Sequence, residues 1–127
     1  MSTKQKEKVK IEGKHKLLEQ VDELGQIILH CHCSPQNDDL MIRIWRSTYL
    51  FANDSDHVSQ LVHAEHISMF PDWKVVRKNT HHTFTLIFSG LPKTCHSFDM
   101  IEDIPEKGGF KFLNIIRSRE DIYDVFV

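Results

Sequence analysis

Residues 30–33 read His-Cys-His-Cys, a run in which every side chain is a potential metal ligand. On a β-strand successive side chains point to opposite faces, so His30 and His32 share one face while Cys31 and Cys33 share the other. Two imidazoles at that spacing lie about 7 Å apart and can hold one ion if a neighbouring strand supplies a third donor. His63, Glu65, His66, His81, His82 and His96 are the available suppliers, and zinc is the ion such a set suits. Cys31 and Cys33, by contrast, continue the apolar face begun by Ile27 and Leu29, where a free thiol behaves as a small hydrophobe. The alternation therefore predicts a cysteine core face and a histidine outer face, with zinc binding at His30 and His32 as the alternative chemistry.

The other reactive clusters are weaker. A cupin metal centre also sets His-x-His on a strand, but it needs a following glutamate and a second motif with histidine. SPQNDDL offers Asp38 and Asp39 in place of the glutamate, and IPEKGGFKF contains no histidine. HAEH at 63–66 is not the His-Glu-x-x-His of zinc proteases, and on a strand His66 would face away from His63. His81 and His82 are adjacent and diverge, which predicts a solvated loop end. Cys95 and His96 diverge for the same reason, and nothing around them activates a thiolate. Glu102, Asp103 and Glu106 read as a solvated acidic rim. There is no glycine-rich phosphate loop. An enzyme is accordingly not expected.

The elements that would carry these residues are strands. GQIILHCHC alternates; LMIRIWRSTYLF sets Ile42 and Ile44 against Arg43 and Arg46, with Trp45, Tyr49 and Phe51 alongside; THHTFTLIF puts Phe84, Leu86 and Phe88 on one face. VSQLVHAEHISMF, WKVV, HSFDMIE, FKFLNIIR and DIYDVFV complete the set, divided by SPQNDD, ANDSD, SGLPK and IPEKGG. Ahead of them, residues 1–14 read as a flexible Lys-rich lead, and 15–127 as a single domain. Leu17, Leu18, Val21 and Leu24 recur at helical spacing before Gly25, with a strand over 8–21 as the competing reading. Seven or eight short strands without alternating helices predict an all-β fold, and specifically an antiparallel immunoglobulin-like β-sandwich.

The stretches IRIWRSTYLF, LVHAEHISMFPDW and FTLIFSGLPKTCHSFDMIED resemble an uncharacterised family of small bacterial immunoglobulin-like β-sandwich proteins. The strand, Gly-Leu-Pro turn and Ser-Phe-Asp-x-Ile-Glu strand of the last stretch are similar to those of immunoglobulin-like accessory domains. The resemblance implies the sandwich and carries no activity or catalytic residue with it.

Bulk chemistry narrows the function classes. With 127 residues the chain is long enough for a core without metal or disulfide staples. A formal net charge of −2 gives no field favouring nucleic acid. Lys4, Lys6, Lys8, Lys10, Lys14 and Lys16 make a basic arm that could meet phosphates, but the remaining residues outweigh it, and nucleic acid is not the expected partner. No apolar run approaches the roughly 20 residues of a membrane span. The basic N-terminus has no apolar stretch behind it to make a secretory signal, and three cysteines with two only two apart favour reduced thiols, so a cytoplasmic protein is expected. The function expected is a non-enzymatic interaction domain that offers a sheet face or edge to a protein partner or to a second copy of itself. Arg43, Trp45, Arg46 and Tyr49 are its candidate contact residues, since aromatic and arginine side chains dominate interface energetics.

Overall fold

The computed structural model describes residues 25–127; the Lys-rich lead at 1–14 and the helix or strand expected between 8 and 24 lie outside the described residues. The described chain is all-β, as expected. It forms β1 Gln26–Cys33, β2 Leu40–Ile44, β3 Thr48–Ala52, β4 Val58–Glu65, β5 Ser68–Met69, β6 Lys74–Val76, β7 His82–Ser89, β8 Ser97–Glu102, β9 Lys111–Ile116 and β10 Ile122–Phe126. Seven strands form one sheet in the order β10-β1-β7-β4-β3-β8-β9, and three form a second in the order β5-β2-β6.

The count exceeds the expected seven or eight because two apolar runs break. LMIRIWRSTYLF divides at Trp45–Ser47, where Thr48 turns its buried hydroxyl back to the Trp45 carbonyl at 2.6 Å and the chain crosses from the small sheet to the large one. VSQLVHAEHISMF divides at His66, whose φ of 64° takes it out of the extended region. Nor is the pairing wholly antiparallel. β1 lies parallel to β10 and β2 parallel to β5, because these strands meet through connections long enough to cross over rather than through hairpins.

The large sheet is nearly closed into a barrel. Its two edge strands, β9 and β10, are consecutive in sequence, so the sheet must curl until its ends approach. Tyr123 of β10 accordingly meets Phe98 of β8 edge-on, with ring centroids 5.2 Å apart. Arg117, in the connection between β9 and β10, clasps this seam. Its guanidinium binds both oxygens of Asp121 at 2.6 and 3.1 Å and donates to the Pro92 carbonyl at 2.7 Å.

Both sheets feed one buried cluster. Ile27, Leu29, Cys31 and Cys33 of β1 face it, with Phe84, Leu86 and Phe88 of β7 and Phe98 and Met100 of β8. Ile42, Ile44 and Val76 of the small sheet close over it. Period-two alternation does this work: β1 buries every second residue from Ile27 to Cys33 and leaves His30 and His32 outside.

Glu102 belongs to this interior and not to the solvated acidic rim expected for it. It is 7 % exposed, and its carboxylate accepts the backbone N–H of Trp45 and of Phe110, each at 2.9 Å. Gly109 permits this approach, since a Cβ there would stand 2.8 Å from the Glu102 carbonyl oxygen.

Candidate functional site

Two outer faces bring chemically notable side chains together. The first is the outer face of the small sheet. Met41 and Val75 are opposite one another in the β2–β6 ladder, and both are about half exposed. Arg43, two residues along β2, and Trp73, two residues before Val75, continue that face by alternation. The Arg43 guanidinium lies 3.8 Å from the centroid of the Trp73 ring and 4.7 Å from that of Phe70. It also donates to the Pro71 carbonyl at 3.0 Å and to Glu106 at 3.2 Å. Phe70 in turn stacks on Trp45 at 3.8 Å. The backbone of Trp45 is fixed at both ends, its N–H by Glu102 and its carbonyl by Thr48. The outcome is an aromatic, arginine-centred surface on a sheet face where alternation ordinarily places polar residues.

Of the contact residues expected from sequence, Arg43 and Trp45 sit within this surface and Arg46 is exposed beside it. Tyr49 is separated from them: it lies on β3 of the large sheet, opposite Gln60 and Ile101, with its ring edge-on to Phe51. Phe70 and Trp73 carry no local signal in the sequence that would join them to Arg43. They lie about thirty residues from Arg43, and only the parallel β2–β5 and antiparallel β2–β6 pairings bring them beside it.

The second face belongs to β10-β1-β7. Here His30 and His32 do lie on the outer face, but they turn to different partners. His30 Nδ1 is 2.9 Å from the Thr85 hydroxyl. His32 instead meets His81 and Thr83: its Nδ1 lies 3.2 Å from His81 Nε2 and 3.1 Å from Thr83 Oγ1, and the latter two are 3.2 Å apart. Its other nitrogen, Nε2, is 2.7 Å from Asp124 on β10. Ser34 Oγ is 2.9 Å from His81 Nδ1. The ring of Phe126 stacks on His32 with centroids 4.9 Å apart. His81 also lines an open polar cleft of about 590 Å³ between the loops 34–39 and 77–81. The Asn79 N–H clasps these loops through the Pro35 carbonyl at 2.7 Å.

The other suppliers lie elsewhere. His63 pairs with Glu65 at 3.2 Å, His82 reaches the His66 carbonyl at 2.7 Å, and His96 meets Asp54 at 3.1 Å. Among the described residues no three histidine, cysteine or carboxylate side chains converge on one point. The thiols are all buried and free. Burial, with Cys33 adding to it, pushes the Cys31 thiol up to about 12, and burial raises Cys33 and Cys95 as well. A thiolate nucleophile is thereby disfavoured at each position.

No protein-family model, no curated protein and no solved structure matches the chain. No helix among the described residues is long and apolar enough to cross a membrane.

Proposed function

We propose that this is a non-enzymatic interaction domain whose contact surface for a protein partner is the outer face of the small sheet. The observation that carries the reading is the placement of Phe70 and Trp73, 44 % and 49 % exposed, around a guanidinium already held by four partners. Met41 and Val75 extend the apolar area along the same face. Contiguous exposed apolar surface of this kind marks interaction sites more often than isolated surface hydrophobes do. Aromatic and arginine side chains fixed before contact lose little conformational freedom on binding, which favours affinity. The immunoglobulin-like reading of the fold stands beside this as a proposal, supported by two sheets enclosing a single core.

The test is selection from a displayed random-peptide library against the whole protein, followed by binding of the selected peptides to Trp73→Ala and to Lys93→Ala. Recovery of peptides that bind the wild type and Lys93→Ala but not Trp73→Ala supports the assignment. Peptides that bind all three alike, or no enrichment at all, would overturn it.

A further inference from the structure

The geometry points to a second site: His32 Nδ1, His81 Nε2 and Thr83 Oγ1 form three corners of the coordination shell of a divalent cation of zinc-like softness. The three atoms are mutually 3.1 to 3.2 Å apart, a nearly equilateral triangle. Zinc–nitrogen bonds of 2.0 to 2.1 Å at tetrahedral angles put neighbouring donors about 3.3 Å apart. The ring centroids of His32 and His81 are 5.3 Å apart. Radial imidazoles on one tetrahedral ion would set them about 5.2 Å apart.

The remaining ring nitrogens complete the pattern. An imidazole that binds metal through one nitrogen carries its proton on the other, and that proton is ordinarily given to an oxygen. His32 Nε2 has the Asp124 carboxylate at 2.7 Å and His81 Nδ1 has the Ser34 hydroxyl at 2.9 Å. The Asp124 carboxylate only accepts, so it holds the proton on His32 Nε2 and leaves Nδ1 a free lone pair. The Ser34 hydroxyl can accept from His81 Nδ1 in the tautomer that frees His81 Nε2 for an ion. Two imidazoles and one hydroxyl select zinc, copper or nickel over calcium or magnesium, which take oxygen shells. Solvent completes the shell from the His81 side, where the open cleft begins.

The fold explains the assembly. His32 and Thr83 are direct partners in the β1–β7 ladder, and His81 precedes Thr83 on the same face by alternation. Asp124 is opposite His30 on β10 and so reaches His32 along the diagonal. An ion held here ties β1 to the start of β7, and through Asp124 to the edge strand β10.

The experiment is calorimetric titration of the tag-free full chain with Zn²⁺, alongside His81→Gln, Asp124→Asn and His30→Gln. Melting curves without metal report whether each variant is folded. Long-range ¹H–¹⁵N spectra of the imidazoles, with and without zinc, supply an independent readout. Binding of one zinc per chain is expected, with at least a tenfold loss in His81→Gln, a tenfold or larger loss in Asp124→Asn and none in His30→Gln. Zinc should shift His32 Nδ1 and His81 Nε2 while His32 Nε2 stays protonated. No binding, equal binding by His81→Gln, or a loss confined to His30→Gln overturns the assignment. The first outcome leaves the triangle as a hydrogen-bond network only.

Discussion

Arg43→Ala is the perturbation that examines the small-sheet surface most closely. The guanidinium faces two rings, Trp73 at 3.8 Å and Phe70 at 4.7 Å, and each contact is worth about 0.5 to 1 kcal/mol at a partly exposed site. Its hydrogen bond to the Pro71 carbonyl adds about 1 kcal/mol. The ion pair with Glu106 adds well under about 1 kcal/mol, because that carboxylate is half exposed and screened. Truncation should therefore cost about 2 to 3 kcal/mol of folding stability. That is a large share of a typical domain's 5 to about 15 kcal/mol. Arg43→Lys keeps the charge but loses the plane that lies against the rings and the fork that reaches two acceptors, so about half of that loss should remain. Urea unfolding followed by circular dichroism measures both, with an unchanged slope showing that the unfolding reaction is the same. A double-mutant cycle with Trp73→Ala isolates the ring contact, with an expected coupling of about 0.5 to 1 kcal/mol. Additive single mutants, or an Arg43→Ala loss below about 0.5 kcal/mol, would refute a preformed arginine–aromatic surface.

Glu102→Gln leaves one of the two backbone donors at Trp45 and Phe110 without its acceptor and should cost about 1 to 3 kcal/mol by urea unfolding. Burial raises the Glu102 carboxyl above its ordinary value, against the opposing pull of the Phe110 and Trp45 N–H groups. The folded state therefore holds this proton more tightly than the unfolded chain. Its contribution to stability is full below the ordinary glutamate pKa and is lost as pH rises through the raised one. The wild-type advantage over Glu102→Gln should accordingly grow as the pH is lowered from 7 toward 4.5, and an advantage that shrinks would contradict the burial assigned to this group. Arg117→Ala breaks a pair with Asp121 whose side chains are 14 % and 18 % exposed, and should cost about 3 kcal/mol with little recovery in Arg117→Lys, as read from thermal melts. Cys31, Cys33 and Cys95 should react slowly with a disulfide reagent at pH 8 in the folded protein and fully in denaturant. Fast stoichiometric labelling of native protein would contradict their burial and raised pKa.

The strands were legible where alternation is strict. β1, β7 and β8 each bury one residue in two, and GQIILHCHC, THHTFTLIF and HSFDMIE display that pattern directly. The cysteine core face and histidine outer face of β1 follow from the same rule. Pairing was not legible. Nothing local in LMIRIWRSTYLF shows that Thr48 sends its hydroxyl back to Trp45 and moves the chain to another sheet, so Tyr49 reads as a neighbour of Arg43 when it is not. His32 finds His81 only because β1 and β7 are antiparallel in one particular register. The adjacency of His81 and His82 does signal divergence, and they do diverge: one turns to His32 and the other to the His66 carbonyl. Glu102 looks like a rim residue because its sequence neighbours are acidic. Its burial depends on Gly109 letting the returning segment of the chain close against it, and on the Trp45 N–H, which only the fold brings to its carboxylate.

The most direct measurement of the central claim places a genetically encoded photo-crosslinking amino acid at Val75, in the middle of the proposed contact face, and a second at Lys93, in the turn before β8. Irradiation in the native host, followed by denaturing electrophoresis and mass spectrometry, reports what lies against each position. A discrete protein adduct at position 75, absent at position 93 and lost when Trp73→Ala is added, is the result the structure predicts. Absence of any adduct at 75, or the same adducts from both positions, would contradict the assignment of this face as the contact surface.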